Sequence, residues 1–263
     1  MKILLISYSF PPYPGIGGRR WAKLVKYLTK IGHEIYVIHA SFKNKEKSLW
    51  TDDICHNPNI ISVPINSYYP QILNKIPSTL LQKVHYTFSL YLLKFTSKGS
   101  PYDKGWRWNK KMFKKAKDLI DSYNIKNIFV STAPFSNGYY TVQLKNYNPN
   151  LNIIIDIRDP WTWGIGYGFS DLSDSRLKFE MMMEYETISR ASKVLVPVNI
   201  MKEKLSILYK NYEYKIELLP HAFDKDDIVK KNITNEKIFK IIFFGSLYKD
   251  IGDYIENFSK AIK

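Results

Sequence analysis

The first forty residues, MKILLISYSFPPYPGIGGRRWAKLVKYLTKIGHEIYVIHA, constrain the fold more than any other stretch. Lys2–Ser9 is a short Ile/Leu run of the kind buried on both faces of a parallel sheet. Pro11, Pro12, Pro14, Gly15, Gly17 and Gly18 then keep the chain out of helix and sheet. From Arg19 the apolar residues Trp21, Leu24, Val25 and Leu28 fall at helical spacing, Gly32 ends that helix, and Ile35–Ile38 reads as a second strand. Strand, glycine loop, helix and strand make a βαβ unit. Ligands of open parallel sheets bind at the carboxyl ends of the strands, where this loop lies.

The same alternation continues. Asn59–Val63, Asn127–Ser131, Asn152–Ile157, Lys193–Pro197 and Lys215–Leu219 read as strands; Tyr102–Tyr123, Ser136–Lys145, Asp174–Ala191 and Met201–Leu208 read as helices. Ser41–Asn59 is a polar loop or short helix. Tyr68–Lys98 holds a helix opened by Pro77 and Ser78, with Leu80, Leu81, Val84, Phe88, Tyr91, Leu92 and Phe95 at roughly helical spacing. The simpler expectation for that stripe is a core-facing helix; the sharper one is an apolar patch on a membrane interface or lipid tail. The next helix has Met112, Ala116, Leu119 and Ile120 along one side and Arg107, Lys110, Lys111, Lys114, Lys115 and Lys117 around the rest. It suits an anionic membrane surface or a solvated face equally. Trp106 and Trp108 before it are interfacial anchors or core.

The fold class expected is α/β, a Rossmann-like parallel sheet with helices on both faces, over residues 1–222. Asp224–Lys237 is highly charged and reads as a linker or surface segment. Phe239–Gly245 and Ile255–Ile262 then read as the first strand and helix of a second, truncated Rossmann-like domain over 223–263.

Two constellations carry chemistry. The glycine loop fails the dinucleotide fingerprint, because Arg20 stands where the third glycine belongs and the second strand ends at His39-Ala40 without an acid. No G-K-[ST] follows a glycine loop either. What remains is a helix N-terminus where Gly17 and Gly18 let a ligand approach the backbone, with Arg19 and Arg20 adding positive charge. The alternative is a turn that only needs glycine. The second constellation, Asp156-Ile157-Arg158-Asp159-Pro160-Trp161, ends a central strand. It reads as an acid and a guanidinium aimed into a cleft to bind hydroxyls or phosphate, or as an internal Asp–Arg ion pair. Ser131 and Thr132 end another strand on that edge. His33 reads as a cap, His39 could face the cleft, and His221 sits at the expected hinge. No histidine has metal-ligand spacing. The single cysteine, Cys55, excludes a disulfide framework. No stretch is long enough to span a bilayer and the start lacks a signal-peptide pattern, which reads as a cytoplasmic protein. A net charge of +15 points to an anionic partner or to composition alone.

These motifs resemble the amino-terminal domain of family 4 glycosyltransferases of the GT-B fold: F-P-P-Y-P-G-I-G-G-R-R, a helix, G-H-E-I-Y-V-I, S-T-A-P-F, D-I-R-D-P-W, R-A-S-K-V-L-V-P, L-P-H-A-F-D and F-F-G-S-L-Y, in the family's order. The resemblance implies two Rossmann-like domains flanking a cleft, the first binding the acceptor and the second a nucleotide-sugar donor, with the sugar transferred in retained configuration. It places Arg158 and Asp159 as catalytic groups and Gly17, Gly18 and Gly245 as substrate-binding, joined by Arg19, Arg20, Ser131 and Thr132 from the reading of the residues above, with no metal and no cofactor besides the donor substrate. The implied acceptor is a glycan or lipid-linked molecule of surface-polysaccharide or glycolipid synthesis, met at the inner face of the plasma membrane. Ser246 and Lys249-Asp250 depart from the family's donor loop, and the paired glutamates that grip the donor are not among these residues. The chain therefore reads as a fragment, inactive by itself. The competing reading is a degenerate, non-catalytic GT-B module that binds a glycan or protein; nucleic acid ranks last, since charge alone suggests it.

Overall fold

β1 (Lys2–Ser7) pairs in parallel with β2 (Glu34–Ser41) on one side and β4 (Asn127–Ser131) on the other. With β3 (Ile60–Asn66), β5 (Asn152–Asp156), β6 (Lys193–Val196) and β7 (Ile216–Leu218) they form one seven-stranded sheet of order β3-β2-β1-β4-β5-β6-β7, parallel throughout. The computed structural model describes residues 1–13, 15–41, 48–74, 76–164, 169, 171–228, 241–242 and 252–262.

The period-two alternation of β1 decides how the layers assemble. Leu4 and Ile6 join a core with Tyr36, Ile38, Ile128 and Val130; Ile3 and Leu5 join Ile35 and Val37 on the opposite face. Onto the second face packs α1 (Arg19–Lys30) through Trp21, Ala22 and Val25. Onto the first pack α3 (Asn109–Tyr123) through Met112, Ala116, Leu119 and Ile120, α4 (Ser136–Val142), α5 (Asp174–Arg190) and α6 (Asn199–Leu208). Gly32, at φ 87°, takes the left-handed conformation that ends α1. This is the expected α/β architecture, with helices on both faces.

α2 (Leu80–Thr96) departs from the simpler expectation. Thr79 caps it by accepting from the Gln82 N–H. Only Ser89 and Leu93 are buried, and Leu81, Phe88 and Phe95 are 82, 64 and 82 % exposed. The core-facing reading of its stripe is therefore wrong. Trp108 is fully buried, beside Tyr8, whereas the indole of Trp106 donates to the Thr96 carbonyl.

The chain divides into a unit over 1–223 and a second over 224–263. In the second, α7 (Gly252–Ala261) occupies the region expected to be helical and carries a Glu256–Lys260 ion pair. The expected strand Phe239–Gly245 lies outside the described residues except at 241–242.

Candidate functional site

Strand order reverses between β1 and β4, so the loops that leave their carboxyl ends diverge there. The loop after β1 carries the glycines into a short 3₁₀ turn, Ile16–Gly18, that runs directly into α1. Gly18 is buried, and a Cβ on it would lie 2.7 Å from the Ser9 carbonyl oxygen and 3.2 Å from Pro11 Cδ. Glycine is thus required there by the loop's own packing. A Cβ on Gly17 would meet only ordinary contact, 3.4 Å from Ser9 Cβ.

Arg20 and Arg19 point different ways. Arg20 is buried and spans the unit: Nε and Nη2 donate to the two Asp156 carboxylate oxygens at 3.0 and 3.2 Å, Nη2 to Leu219 O at 2.7 Å, and Nη1 to Pro220 O at 3.0 Å. Trp21 Nε1 adds a third bond to Asp156 at 2.8 Å. The internal ion pair open in the sequence exists, and its guanidinium comes from Arg20, not from Arg158. It ties α1 and β5 to the segment that follows β7. His221 lies 3.4 Å from Arg20 Nη1; burial and that guanidinium hold its pKa below the usual value. Arg19 is half-buried, donates to Ala222 O at 3.3 Å and stacks on Trp50.

At the ends of β4 and β5 the side chains turn inward. Ser131 and Thr132 are buried, and their hydroxyls donate to the carbonyls of Thr132 and Asp156. Arg158 is half-buried; its Nε donates to Thr132 O at 2.9 Å and its Nη1 to Gly17 O at 2.6 Å, locking the β4 loop to the glycine loop. Asp159 follows it, half-buried, on the same edge. The structure thus gathers Gly17, Thr132, Arg158 and Asp159 at one strand edge. Gly245 lies outside the described residues. His39 does not face this edge. It sits within β2, buried, bonded to Ser62 Oγ at 2.7 Å, and burial lowers its pKa.

Beside this edge opens a cavity of about 210 Å³, walled by Tyr8 and Ser9 after β1, Ala133-Pro134-Phe135 after β4, Phe169, and Ser100 and Tyr102-Asp103-Lys104 from the α2–α3 connection. Mostly apolar walls with a few convergent polar groups are what small-molecule sites require. The Asp103 carboxylate is held from behind by the Ser136 N–H at 2.9 Å, the Ser136 hydroxyl at 2.7 Å and the Gly105 N–H at 2.8 Å. Burial nevertheless raises its pKa, and burial lowers that of Lys104. Tyr8 is raised likewise, chiefly by burial, although its hydroxyl pairs with Ser67.

The connection that brings Asp103 here is pinned by α5. Glu180 accepts from the Ser100 N–H at 2.6 Å and from Trp161 Nε1 at 2.7 Å, and Arg176 donates to the carbonyls of Ser97 and Gly99 at 2.9 and 2.6 Å. Burial, then the nearby Asp103 charge, pushes Glu180 up to about 7. Phe135 stacks on Trp161 at 5.1 Å and meets Phe169 edge-on at 5.6 Å, which fixes the aromatic wall. Sequence reasoning missed Tyr8, Asp103, Lys104 and Phe135. Among the described residues, no group of three or more His, Cys, Asp or Glu is placed to hold a metal ion.

No protein family matches the chain by sequence, and no curated protein does. Solved structures match by shape. Sucrose-phosphate synthase from Thermosynechococcus elongatus superposes with a TM-score of 0.51 at 16 % identity, over 83 % of this chain and 47 % of its own. LpCGTa in complex with UDP gives 0.49 at 11 % identity over 85 and 54 %. Phytolacca americana UGT2, solved with UDP-2-fluoro-glucose and pterostilbene, gives 0.41 at 8 % over 83 and 53 %. The chain spans about half the length of these proteins. Its seven-stranded parallel sheet with helices on both faces is the Rossmann-like α/β fold of the GT-B glycosyltransferases.

Proposed function

We propose that residues 1–223 are the acceptor side of a retaining glycosyltransferase that moves a hexosyl group from a nucleotide sugar to a lipid-linked acceptor in surface-polysaccharide or glycolipid synthesis. The observation that carries this reading is the cavity at the β1/β4 reversal, where an aromatic wall, a carboxylate and an ammonium converge at the carboxyl edge of the sheet. Phe135 and Phe169 offer flat apolar surface to the non-polar face of a sugar ring. Asp103 accepts from sugar hydroxyls, and Lys104 meets an anionic group of the acceptor.

Gly17, Gly18, Arg158 and Asp159 border that cavity's edge of the sheet and would form the wall facing the donor. Arg158, clamped between Gly17 O and Thr132 O, holds the two loops in register, and Asp159 is the carboxylate next to it. In the transfer, the acceptor oxygen forms the new bond to the anomeric carbon as the nucleoside diphosphate leaves with the old one. The acceptor's proton passes to the departing diphosphate oxygen, which has taken the electron pair of the broken bond. The protein works from the cytoplasm at the inner face of the plasma membrane, where its excess positive charge meets anionic lipid.

The test is transfer of radiolabelled sugar from a panel of nucleotide sugars to a lipid extract, by the gene product with whatever follows residue 263 in its reading frame. Asp103→Asn is expected to raise the acceptor KM about tenfold, with the donor KM unchanged. Residues 1–263 alone are expected to transfer nothing, because the paired glutamates of the donor site are not among them. Transfer by 1–263 alone, or a folded longer product that binds glycan without transferring any sugar, would overturn the proposal; the latter result is that of a non-catalytic module.

A further inference from the structure

We infer that the outer face of α2 lies in the interface of an anionic bilayer and delivers a lipid-borne acceptor to the cavity. The inference rests on the proposed function for the acceptor; the membrane contact stands on the helix itself.

At 100° per residue, the contacts of α2 with the rest of the unit fall on one seam, through half-buried Tyr86 and Leu90 and buried Ser89 and Leu93. Leu80, Leu81, Val84, Phe88, Tyr91 and Phe95 centre on the opposite side, and all are exposed. An ordinary surface helix has its polar face there. A contiguous apolar patch of this kind marks an interaction surface.

Charge selects the occupant. Lys83 and Lys94 flank the stripe on one side, and α2 contains no Asp or Glu. From Ile54 to Lys117 the sequence holds eleven lysine and arginine residues against the single carboxylate Asp103, which is turned into its own hydrogen bonds with Ser136 and Gly105, and Asp118 and Asp121 follow on α3. Four of the lysines, Lys110, Lys111, Lys114 and Lys115, are exposed on α3. A second copy docked through α2 would set this acid-free helix against itself across a two-fold axis, with no carboxylate on either helix to meet the lysines. An anionic lipid surface satisfies apolar stripe and lysines together. No helix among the described residues is long and apolar enough to cross a membrane, so α2 would lie in the interface plane.

The fold links this helix to the cavity. Arg176 bonds to the carbonyls of Lys94, Ser97 and Gly99, and Trp106 to that of Thr96, so the end of α2 is fastened to the body. A second cleft, of about 340 Å³, runs between Lys94, Arg176 and Tyr102, and shares Tyr102 with the acceptor cavity. The end of α2 therefore adjoins a cleft, lined by Asp171 as well as by the two cations, that meets the cavity at Tyr102.

The experiment is co-sedimentation of the 263-residue protein with phosphatidylcholine vesicles, with and without phosphatidylglycerol, in the absence of donor and acceptor. The wild type is expected to sediment with the anionic vesicles and to be released by salt. Phe88→Ser with Phe95→Ser should weaken that binding by about tenfold or more. Leu81→Ser with Tyr91→Ser is an independent pair, should either variant fold poorly. Lys83→Gln with Lys94→Gln should reduce the preference for phosphatidylglycerol. Equal binding by wild type and both apolar pairs overturns the inference. So does absence of wild-type binding, or a wild-type dimer that the Ser pairs convert to monomer. Failure here leaves sugar transfer to a detergent-dispersed lipid extract untouched, and failure of transfer leaves vesicle binding untouched, so the two readings fall separately.

Discussion

Arg20→Ala separates a framework role from a ligand-binding one. The Arg20–Asp156 pair is buried, with side-chain exposures of 6 and 0 %. Removing the guanidinium deletes both bonds to Asp156 and those to Leu219 O and Pro220 O, leaving the carboxylate with Trp21 Nε1 as its remaining partner in this cluster. Breaking a buried pair from one side costs about 3–5 kcal/mol, because the abandoned charge keeps its desolvation penalty. For a unit of this size about 1 kcal/mol corresponds to 2–4 °C, so the expected fall in Tm is about 6–20 °C. Adding Asp156→Asn should recover part of the loss, since the neutral amide oxygen can still accept from Trp21. The assay is thermal and urea unfolding of all three proteins, followed by tryptophan fluorescence. A fall under about 1 kcal/mol for Arg20→Ala refutes the framework role. Combined with lost substrate binding, that result would return Arg20 to the ligand site.

Two further perturbations test the cavity's supports. Glu180 has its pKa raised to about 7 in the folded protein from 4.5, so ionising it favours the unfolded chain. Its contribution is fully present below pH 4.5 and is lost as pH rises to about 7, a change of about 3 kcal/mol at most. Glu180→Gln should flatten stability over that window in urea titrations; an unchanged pH profile would show that Glu180 is not the group responsible. Gly18→Ala should cost about 1–3 kcal/mol, since its Cβ meets backbone that cannot yield, whereas Gly17→Ala should unfold at nearly the wild-type denaturant concentration. Equal losses at the two glycines would contradict the packing assigned to the loop.

The sheet was legible because parallel strands buried on both faces are written as continuous Ile/Leu/Val runs, and β1, β4, β5 and β6 are such runs. The helix faces were legible where one partner was enough to bury them, as with Met112, Ala116, Leu119 and Ile120 on α3. α2 was not, because its periodicity is the same whether the stripe meets a core or solvent. Periodicity reports that a face is apolar, and only the count of sheet faces left open says whether a helix can be buried. The Asp156 pairing was misassigned for a related reason. Alternation along a strand placed Arg158 on the same side, but the guanidinium that reaches Asp156 comes from the first turn of α1, which the sheet order β1-β4-β5 brings near the end of β5 although the two are far apart in the chain.

The cavity shows where reading along the chain stops. Its walls come from four stretches, and Tyr8, Tyr102, Phe135 and Phe169 are each unremarkable in a sequence with 14 Phe and 20 Tyr. Asp103 did leave a trace. It is the one carboxylate in a 64-residue stretch from Ile54 to Lys117 otherwise populated by cations, and it precedes a glycine where a Cβ would lie 2.6 Å from Ser136 Oγ. An acid retained amid so many cations invites a surface ion pair as its explanation. Here it turns to the Ser136 and Gly105 donors behind the cavity wall, and its pKa rises through burial despite those donors. Both carboxylate oxygens are used by the fold, Oδ1 by the Gly105 N–H and the Ser136 hydroxyl and Oδ2 by the Ser136 N–H, so an amide, with a single accepting oxygen, could not take the same bonds, and these donors hold a charged group in the cavity wall despite its desolvation.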